Sequence, residues 1–267
     1  MMSKRFPVIV VFVATCLLGA PLQTSATAIA NSMLEFKNLS ITPTAGGISL
    51  DGSWFFETFA HADNSLSQID ENFTPGSSPG TVSASGAVTW ASATGTASAP
   101  NAPSDFLVSG SAQSDVNLPG PGAAAAFGKS RSTLFNSFTL SGGGPNVDVQ
   151  FAIDISGLLN VMTDAFGMFA QTQTVFTLEV DGTPILFQNN FLSIGPGDSD
   201  TQSFSTHLSN TVTLAAFDLD GSPLSHFLLL EAENDPRGRI PEPPVGLLLI
   251  TGLVALAATR RRPGLLS

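Results

Sequence analysis

Few side chains in this sequence stand at a spacing that does recognisable chemistry. The three histidines, His61, His207 and His226, are far apart, and none belongs to an H-x-x-x-H or other zinc-ligand spacing. They read as surface or strand histidines. No G-x-S-x-G elbow, P-loop or dinucleotide fingerprint occurs. Gly142-Gly143-Gly144-Pro145 reads as a loop between strands and not as a phosphate cradle, because no helix follows to offer its N-terminus. Asp198 with Asp200, and Asp218 with Asp220, are short-spaced carboxylate pairs in expected loops. Oxygen-rich loops hold Ca2+ with about six to eight ligands, but neither pair completes an EF-hand pattern, and Asp220-Gly221 is accounted for as a turn. Ca2+ is therefore the one cofactor these residues leave open, and no cofactor is expected. A retaining glycosidase needs two carboxylates about 5 Å apart, and 21 acids nominate no particular pair. Trp54 and Trp90 have flat faces of the kind that stack on sugar rings, yet both fall in phase with apolar neighbours, so core positions are expected. The only cysteine, Cys16, lies in an apolar run near the start, which leaves the remainder without a disulfide, a thiolate metal ligand or a thiol nucleophile. The expectation is a protein that is not an enzyme.

The two ends are more informative. Lys4 and Arg5 precede an uncharged, mostly apolar run from Val8 to Ala20, which Pro21 breaks. The run is too short to span a bilayer comfortably, since spanning needs about 20 residues. Ala26-Thr27-Ala28 supplies small residues at the cleavage positions, with Ala28-Ile29-Ala30 a second possibility. Residues 1–28 thus read as a secretory signal peptide, addressed to the Sec translocon, with Ala26 and Ala28 at the cleavage site. At the other end, Pro241-Glu242-Pro243 is followed by an apolar segment and then Arg260-Arg261-Arg262. The prolines hold the backbone extended, as a protease would grip it. The segment from about 245 to 259 must form a helix once it leaves water. Such a helix reaches only about 21 to 24 Å, against a hydrocarbon core of about 30 Å. The three arginines hold its end on the cytoplasmic side. A marginal stop-transfer helix results, with Pro241-Glu242-Pro243 displayed just outside the membrane.

This order of Pro-Glu-Pro, short apolar helix and arginine cluster resembles the PEP-CTERM sorting tail of exported proteins from exopolysaccharide-producing Gram-negative bacteria. The resemblance covers about the last 27 residues, within a sorting tail expected over residues 236–267. It implies that a membrane-embedded exosortase recognises Pro241, Glu242 and Pro243, removes the helix, and releases the mature chain to the cell surface or matrix. Pro244 after the motif, and Pro263 to Ser267 after the arginines, depart slightly from the commonest pattern.

Charge and composition describe what lies between. Five basic residues, Lys37, Lys129, Arg131, Arg237 and Arg239, face all 21 acids of the chain, which lie between Glu35 and Glu242, for a net −16 over the portion expected to be exported. Such a surface stays soluble and repels nucleic acid. Charged residues are only 12%, Tyr is absent and Phe numbers 20. Abundant Gly, Ser, Thr and Pro favour strands and turns, while the phenylalanines supply core area.

Period-two alternation runs along most of residues 33–233. Val147, Val149, Phe151, Ile153 and Ile155 alternate with polar partners, and Ile48, Leu50, Gly52, Trp54 and Phe56 repeat the pattern. Leu34 and Phe36 share one phase while Leu39 and Ile41 share the other, which predicts a bulge near Asn38. The small-residue stretch from Gly76 to Gly128 keeps the same period and reads as two or three strands, with Pro100 to Pro103 and Pro119 to Ala126 as loops. Asp181-Gly182 and Asp220-Gly221 each sit between apolar runs and predict two hairpins. Phe227 to Leu230 predicts a central strand, and one short helix fits around Leu159 to Gln171. About ten short strands predict an antiparallel β-sandwich, jelly-roll-like, over residues 29–235; the absence of a short repeat argues against a β-solenoid. The implied protein is a non-enzymatic surface or matrix component, with carbohydrate binding to exopolysaccharide as the alternative and a secreted hydrolase behind it.

Overall fold

A chain alternating small or apolar residues with Ser, Thr and Asn can bury one side of a strand and wet the other, and most of the fourteen strands among the described residues do so. The computed structural model describes residues 26–64, 68–99, 106–119, 125–164 and 168–240. The N-terminal segment up to residue 25, the Pro241-Glu242-Pro243 motif, the 245–259 segment and Arg260 to Arg262 lie outside them. The strands are β1 (Thr27–Pro43), β2 (Gly47–Leu50), β3 (Phe55–Asp63), β4 (Ile69–Ser77), β5 (Gly80–Val88), β6 (Ala91–Ala99), β7 (Ser109–Pro119), β8 (Ala125–Ser141), β9 (Asn146–Thr163), β10 (Phe169–Val180), β11 (Thr183–Ile194), β12 (Ser199–Ala215), β13 (Ser225–Asn234) and β14 (Arg237–Arg239). They form two antiparallel sheets, β12-β9-β1-β7-β6-β5 and β11-β10-β13-β8-β3-β4, with β14 between β10 and β8 and β2 on β8. The fold is all-β and consistent with a β-sandwich.

The thick part of the core lies between β1, β9 and their opposite strands. Phe36 of the first sheet meets Phe176 of the second at 5.6 Å between ring centroids, and Phe151 meets Phe138 at 6.1 Å. Leu34, Leu134, Ile153 and Ile155 fill the same layer, each at most 1% exposed. Burying each such side chain is worth about 1.5–3 kcal/mol.

The small-residue stretch builds a thinner part. Here Ala60, Ala84 and Ala93 form their own buried cluster. A methyl group added at Gly95 of β6 would lie 2.5 Å from the Arg131 carbonyl oxygen of the facing sheet, and one at Gly86 would lie 2.8 Å from that of Asp70. The sheets approach so closely that short polar groups bridge them. Ser114 Oγ donates to Ser130 Oγ at 2.8 Å, and Ser132 Oγ donates to the Thr96 carbonyl at 2.6 Å. Gly, Ala and Ser are thus the residues that a narrow inter-sheet gap admits.

Several expectations hold in detail. The phase switch in β1 is a bulge, with the register to β9 shifting between Lys37 and Ser40 and Asn38 at φ 58°. Residues 76–128 contain three whole strands, β5, β6 and β7, and β13 lies inside its sheet between β10 and β8. Asp181-Gly182 forms the β10–β11 turn with both residues at positive φ, as a type I′ turn requires.

Others are corrected. Residues 48–56 are two strands, because the chain breaks at Gly52, whose φ of 136° no other residue adopts readily. Asp220-Gly221 is a tight turn but joins no hairpin, since β12 and β13 belong to different sheets and only Phe217 and Pro223 bridge across it. The expected helix is absent: Leu159 to Thr163 end β9 and Phe169 to Gln171 begin β10, with residues 165–167 outside the described ones. Serine and asparagine on the wet faces do not break strands, so β1, β8 and β12 run to 17 residues and β9 to 18. The loop expected at Pro119 to Ala126 is shorter at both ends, because Pro119 ends β7 and Ala125 begins β8; residues 100–103 lie outside the described ones. Strands also extend past 29–235 on both sides, from Thr27 to Arg239.

Candidate functional site

Both chain exits lie at one pole. Ala26 is half-buried and Ala28 is fully buried in β1, where it pairs with Leu118 and Thr163. At the other exit, Gly238 of β14 faces Ala28 across the core; a Cβ on Gly238 would lie 3.5 Å from the Ala28 Cβ. Ile240, the last residue before Pro241, is 1% exposed and belongs to the same apolar cluster as Ala28 and Ala30. The Arg239 carbonyl accepts from Met168 N at 3.1 Å, and the Pro236 carbonyl from Gly128 N at 3.1 Å. A cleft of about 310 Å3 beside this exit is lined by Asp63, Phe127, Phe169, Arg237 and Arg239, with the Arg237 guanidinium 5.0 Å over the Phe127 ring.

The histidines are strand residues in three separate places. His61 Nδ1 lies 3.1 Å from Glu71 and the ring stacks on Phe59. His207 Nδ1 lies 2.7 Å from Asp154 Oδ1 on the outer face of the six-stranded sheet. The Asp154 carboxyl also accepts from Asn38 Nδ2 at 2.8 Å, and that bond, then the one to His207, holds it below the usual carboxylate range. His226 is buried and bound to Asp181.

Asp218 and Asp220 cap a turn, whereas Asp200 lies in β12 and not in the expected loop. Asp220 Oδ1 accepts from Ser222 N at 2.9 Å and from Ser222 Oγ at 2.5 Å, which lowers its pKa. Asp218 Oδ1 accepts from Leu219 N at 2.6 Å, and Asp200 Oδ1 from Thr201 N at 2.8 Å. Short Asx turns of this kind use the oxygens that a cation would need. Among the described residues, no group of three or more His, Cys, Asp or Glu is arranged to hold a metal ion.

The few cations also have partners on the second sheet. Lys129 reaches Glu233 at 2.9 Å, Arg131 reaches Glu231 at 3.8 Å, and Arg237 reaches Asp235 at 2.6 Å. Burial pushes the Glu231 carboxyl up, with Arg131 opposing it. Phe55, Phe135 and Phe227 form an aromatic row across β3, β8 and β13, with centroids 5.7 and 6.1 Å apart. Sequence periodicity does not reveal this row, because its members occupy the wet phase of their strands.

The two tryptophans part company. Trp54 is fully buried, as expected. Trp90 is half-buried at the edge of an apolar cluster, which corrects the expectation of a full core position. It is the second residue of the two-residue turn joining β5 and β6, with Val88 paired to Ala91 and a backbone φ of 78°. Turns give that conformation to Gly or Asn, and a bulky residue there stores about 1–3 kcal/mol. The indole packs on the apolar cluster at the pole of the exits, while its carbonyl accepts from Asn117 N at 2.8 Å. Beside it lies an open cleft of about 240 Å3 lined by Ala87, Val88, Ser92, Asp115 and Asn117. Burial raises the Asp115 pKa, against a hydrogen bond from Gln113 Nε2 at 3.2 Å.

Comparison with known proteins adds no relative to this picture: no family model, no curated protein and no solved structure matches the chain.

Proposed function

We propose that this chain is an exported bacterial surface or matrix protein, delivered through its PEP-CTERM-like tail by way of the Sec translocon and an exosortase. Its jelly-roll-like sandwich contributes structure or adhesion in the exopolysaccharide matrix and performs no catalysis. The observation that supports this reading best is the shared pole of the two exits. Ala28 and Gly238 face one another, so a chain held at either end by a membrane turns the same pole toward it. The opposite pole, with Asp181 and the Asp218–Ser222 turn, then points outward with both outer sheet faces free.

Ile240 adds a second constraint. It is buried immediately before Pro241, so no linker separates the folded strands from the implied recognition motif. Three extended residues reach about 10 Å, which sets the domain directly against the membrane surface until the tail is removed. Exposed Phe55, Phe73, Phe187, Phe191 and Phe227, 43–59% accessible on the outer face of the second sheet, suit an adhesive role. Intact-mass measurement of the protein from inner-membrane, surface and medium fractions tests the reading. Loss of residues beyond Pro243 in the surface or medium form is the expected result. A released form that keeps Arg260 to Ser267, or a chain that stays in the cytosol, defeats it.

A further inference from the structure

We infer that Trp90 and the polar row beside it form a binding site for a segment of neutral polysaccharide. The indole stacks on one sugar ring, and Asp115, Asn31 and Asn160 hydrogen-bond the hydroxyls of the units that follow.

The first observation is conformational. Trp90 occupies a left-handed turn position that Gly or Asn would fill without strain, and it is half-buried there with part of its surface lining the cleft. Strained backbone that presents a large aromatic face to a cleft points toward a ligand, since folding alone is served better by another residue. The fully buried Trp54 shows that the core accommodates a tryptophan where packing calls for one.

The second observation is the register of the six-stranded sheet. Ser92 pairs with Asp115, Asp115 with Asn31, Asn31 with Asn160, and Asn160 with Thr201. All five belong to the outer face, because Ala30, Ser32, Ser114, Val116, Leu159 and Val161 beside them are buried. Four strand intervals of about 4.8 Å make a straight row about 19 Å long, leading away from the cleft at Trp90. Thr201 Oγ1 donates to Asn160 Oδ1 at 2.8 Å, so the far end is ordered. Amide and hydroxyl groups that donate and accept in alternation match a polyhydroxyl chain, and an aromatic face matches the apolar face of a sugar ring.

Charge selects the class. Asp115 is the only ionisable group in the row, and the chain from Thr27 at the start of β1 through Glu242 carries net −16. An anionic polymer or an anionic lipid surface would meet repulsion with no cation in the row to offset it. Burial of Asp115 strengthens its hydrogen bonds to a hydroxyl by excluding competing water.

The full chain in a sugar-free non-ionic detergent is titrated with dextran, xyloglucan and galactomannan, with alginate and phosphatidylglycerol vesicles as anionic contrasts. Calorimetry and affinity electrophoresis report binding, and tryptophan emission reports the site. At least one neutral polysaccharide is expected to bind saturably and to shift the emission. Trp90→Asn, which keeps the left-handed turn, is expected to weaken that binding at least ten-fold while the variant still melts in one cooperative transition. Asn31→Ala is expected to weaken it several-fold, and Phe187→Ser on the other sheet to leave it as it was. The inference is overturned if none of the neutral polysaccharides binds, if Trp90→Asn binds as the parent does, or if only alginate or vesicles bind. Binding is measured on purified protein, so its failure is separate from that of the export reading, which the fraction masses decide.

Discussion

Asp181 and His226 close the pole opposite the chain exits: Asp181 Oδ2 lies 2.7 Å from His226 Nδ1, while Oδ1 accepts from Phe227 N at 2.8 Å. The other ring nitrogen of His226 lies 2.8 Å from the Ala215 carbonyl, so one side chain joins the β10–β11 turn to the end of β12 in the opposite sheet. The ring is almost wholly buried, at 3% exposure. His226→Leu takes the donor from the Ala215 carbonyl and the partner from Asp181, and is expected to lower stability by about 1–3 kcal/mol. Asp181→Asn keeps the left-handed turn and costs less, about 1 kcal/mol. Urea unfolding of both variants checks the order; equal midpoints for parent and His226→Leu would show the clasp to be idle.

The narrow part of the sandwich is tested at Gly95. A methyl group there meets the Arg131 carbonyl at 2.5 Å, an atom fixed in the β8 ladder. Gly95→Ala is expected to cost about 2 kcal/mol or more through forced separation of the sheets. Gly195, with nothing within 4 Å of an added Cβ, serves as the control. Its Ala variant is expected to stay within about 0.5 kcal/mol of the parent.

Two carboxylates bend the pH dependence of stability in opposite directions. Burial raises the folded-state pKa of Asp115, so the folded protein binds a proton there more readily than the unfolded chain. The stability Asp115 subtracts at neutral pH is therefore regained as pH falls through that raised value. Asp154, held low by Asn38 and His207, acts in the reverse sense. Its contribution is present above the unfolded carboxylate pKa and is lost as pH falls through the depressed one. Asp115→Asn is thus expected to raise the melting temperature at pH 7 and to gain less on acidification than the parent. Asp154→Asn is expected to lower it at pH 7 and to leave it alone at strongly acid pH. Melting curves from pH 7 to 2 separate the two.

The end of the folded unit is tested by truncation. A chain stopped after Asp235 loses β14, the buried Ile240 and the bond from Gly128 N to the Pro236 carbonyl. Burial of Ile240 alone is worth about 1.5–3 kcal/mol, so a clear drop in the urea midpoint is expected. A chain stopped after Pro243 is expected to match the parent domain, as removal of the tail by a protease requires.

Local patterning carries far in this protein. The phase switch between Phe36 and Leu39 located the Asn38 bulge, the alternation from Val147 to Ile155 gave the buried face of β9, and Asp181-Gly182 gave a type I′ turn. These features depend on side-chain period and backbone freedom within a few residues. The export and sorting expectations likewise rest on short contiguous segments at the two ends.

Tertiary structure alone decided the rest. Asp181-Gly182 and Asp220-Gly221 carry the same local signal, yet one joins neighbours in a sheet and the other crosses between sheets, because pairing depends on which strands find their apolar faces already covered. Trp54 and Trp90 share an apolar phase, but the turn that ends β5 falls on Trp90 and leaves it half-buried at the core's edge. The row from Ser92 to Thr201 draws on five strands, with members as far apart in sequence as Asn31 and Thr201, so only their registers could align it.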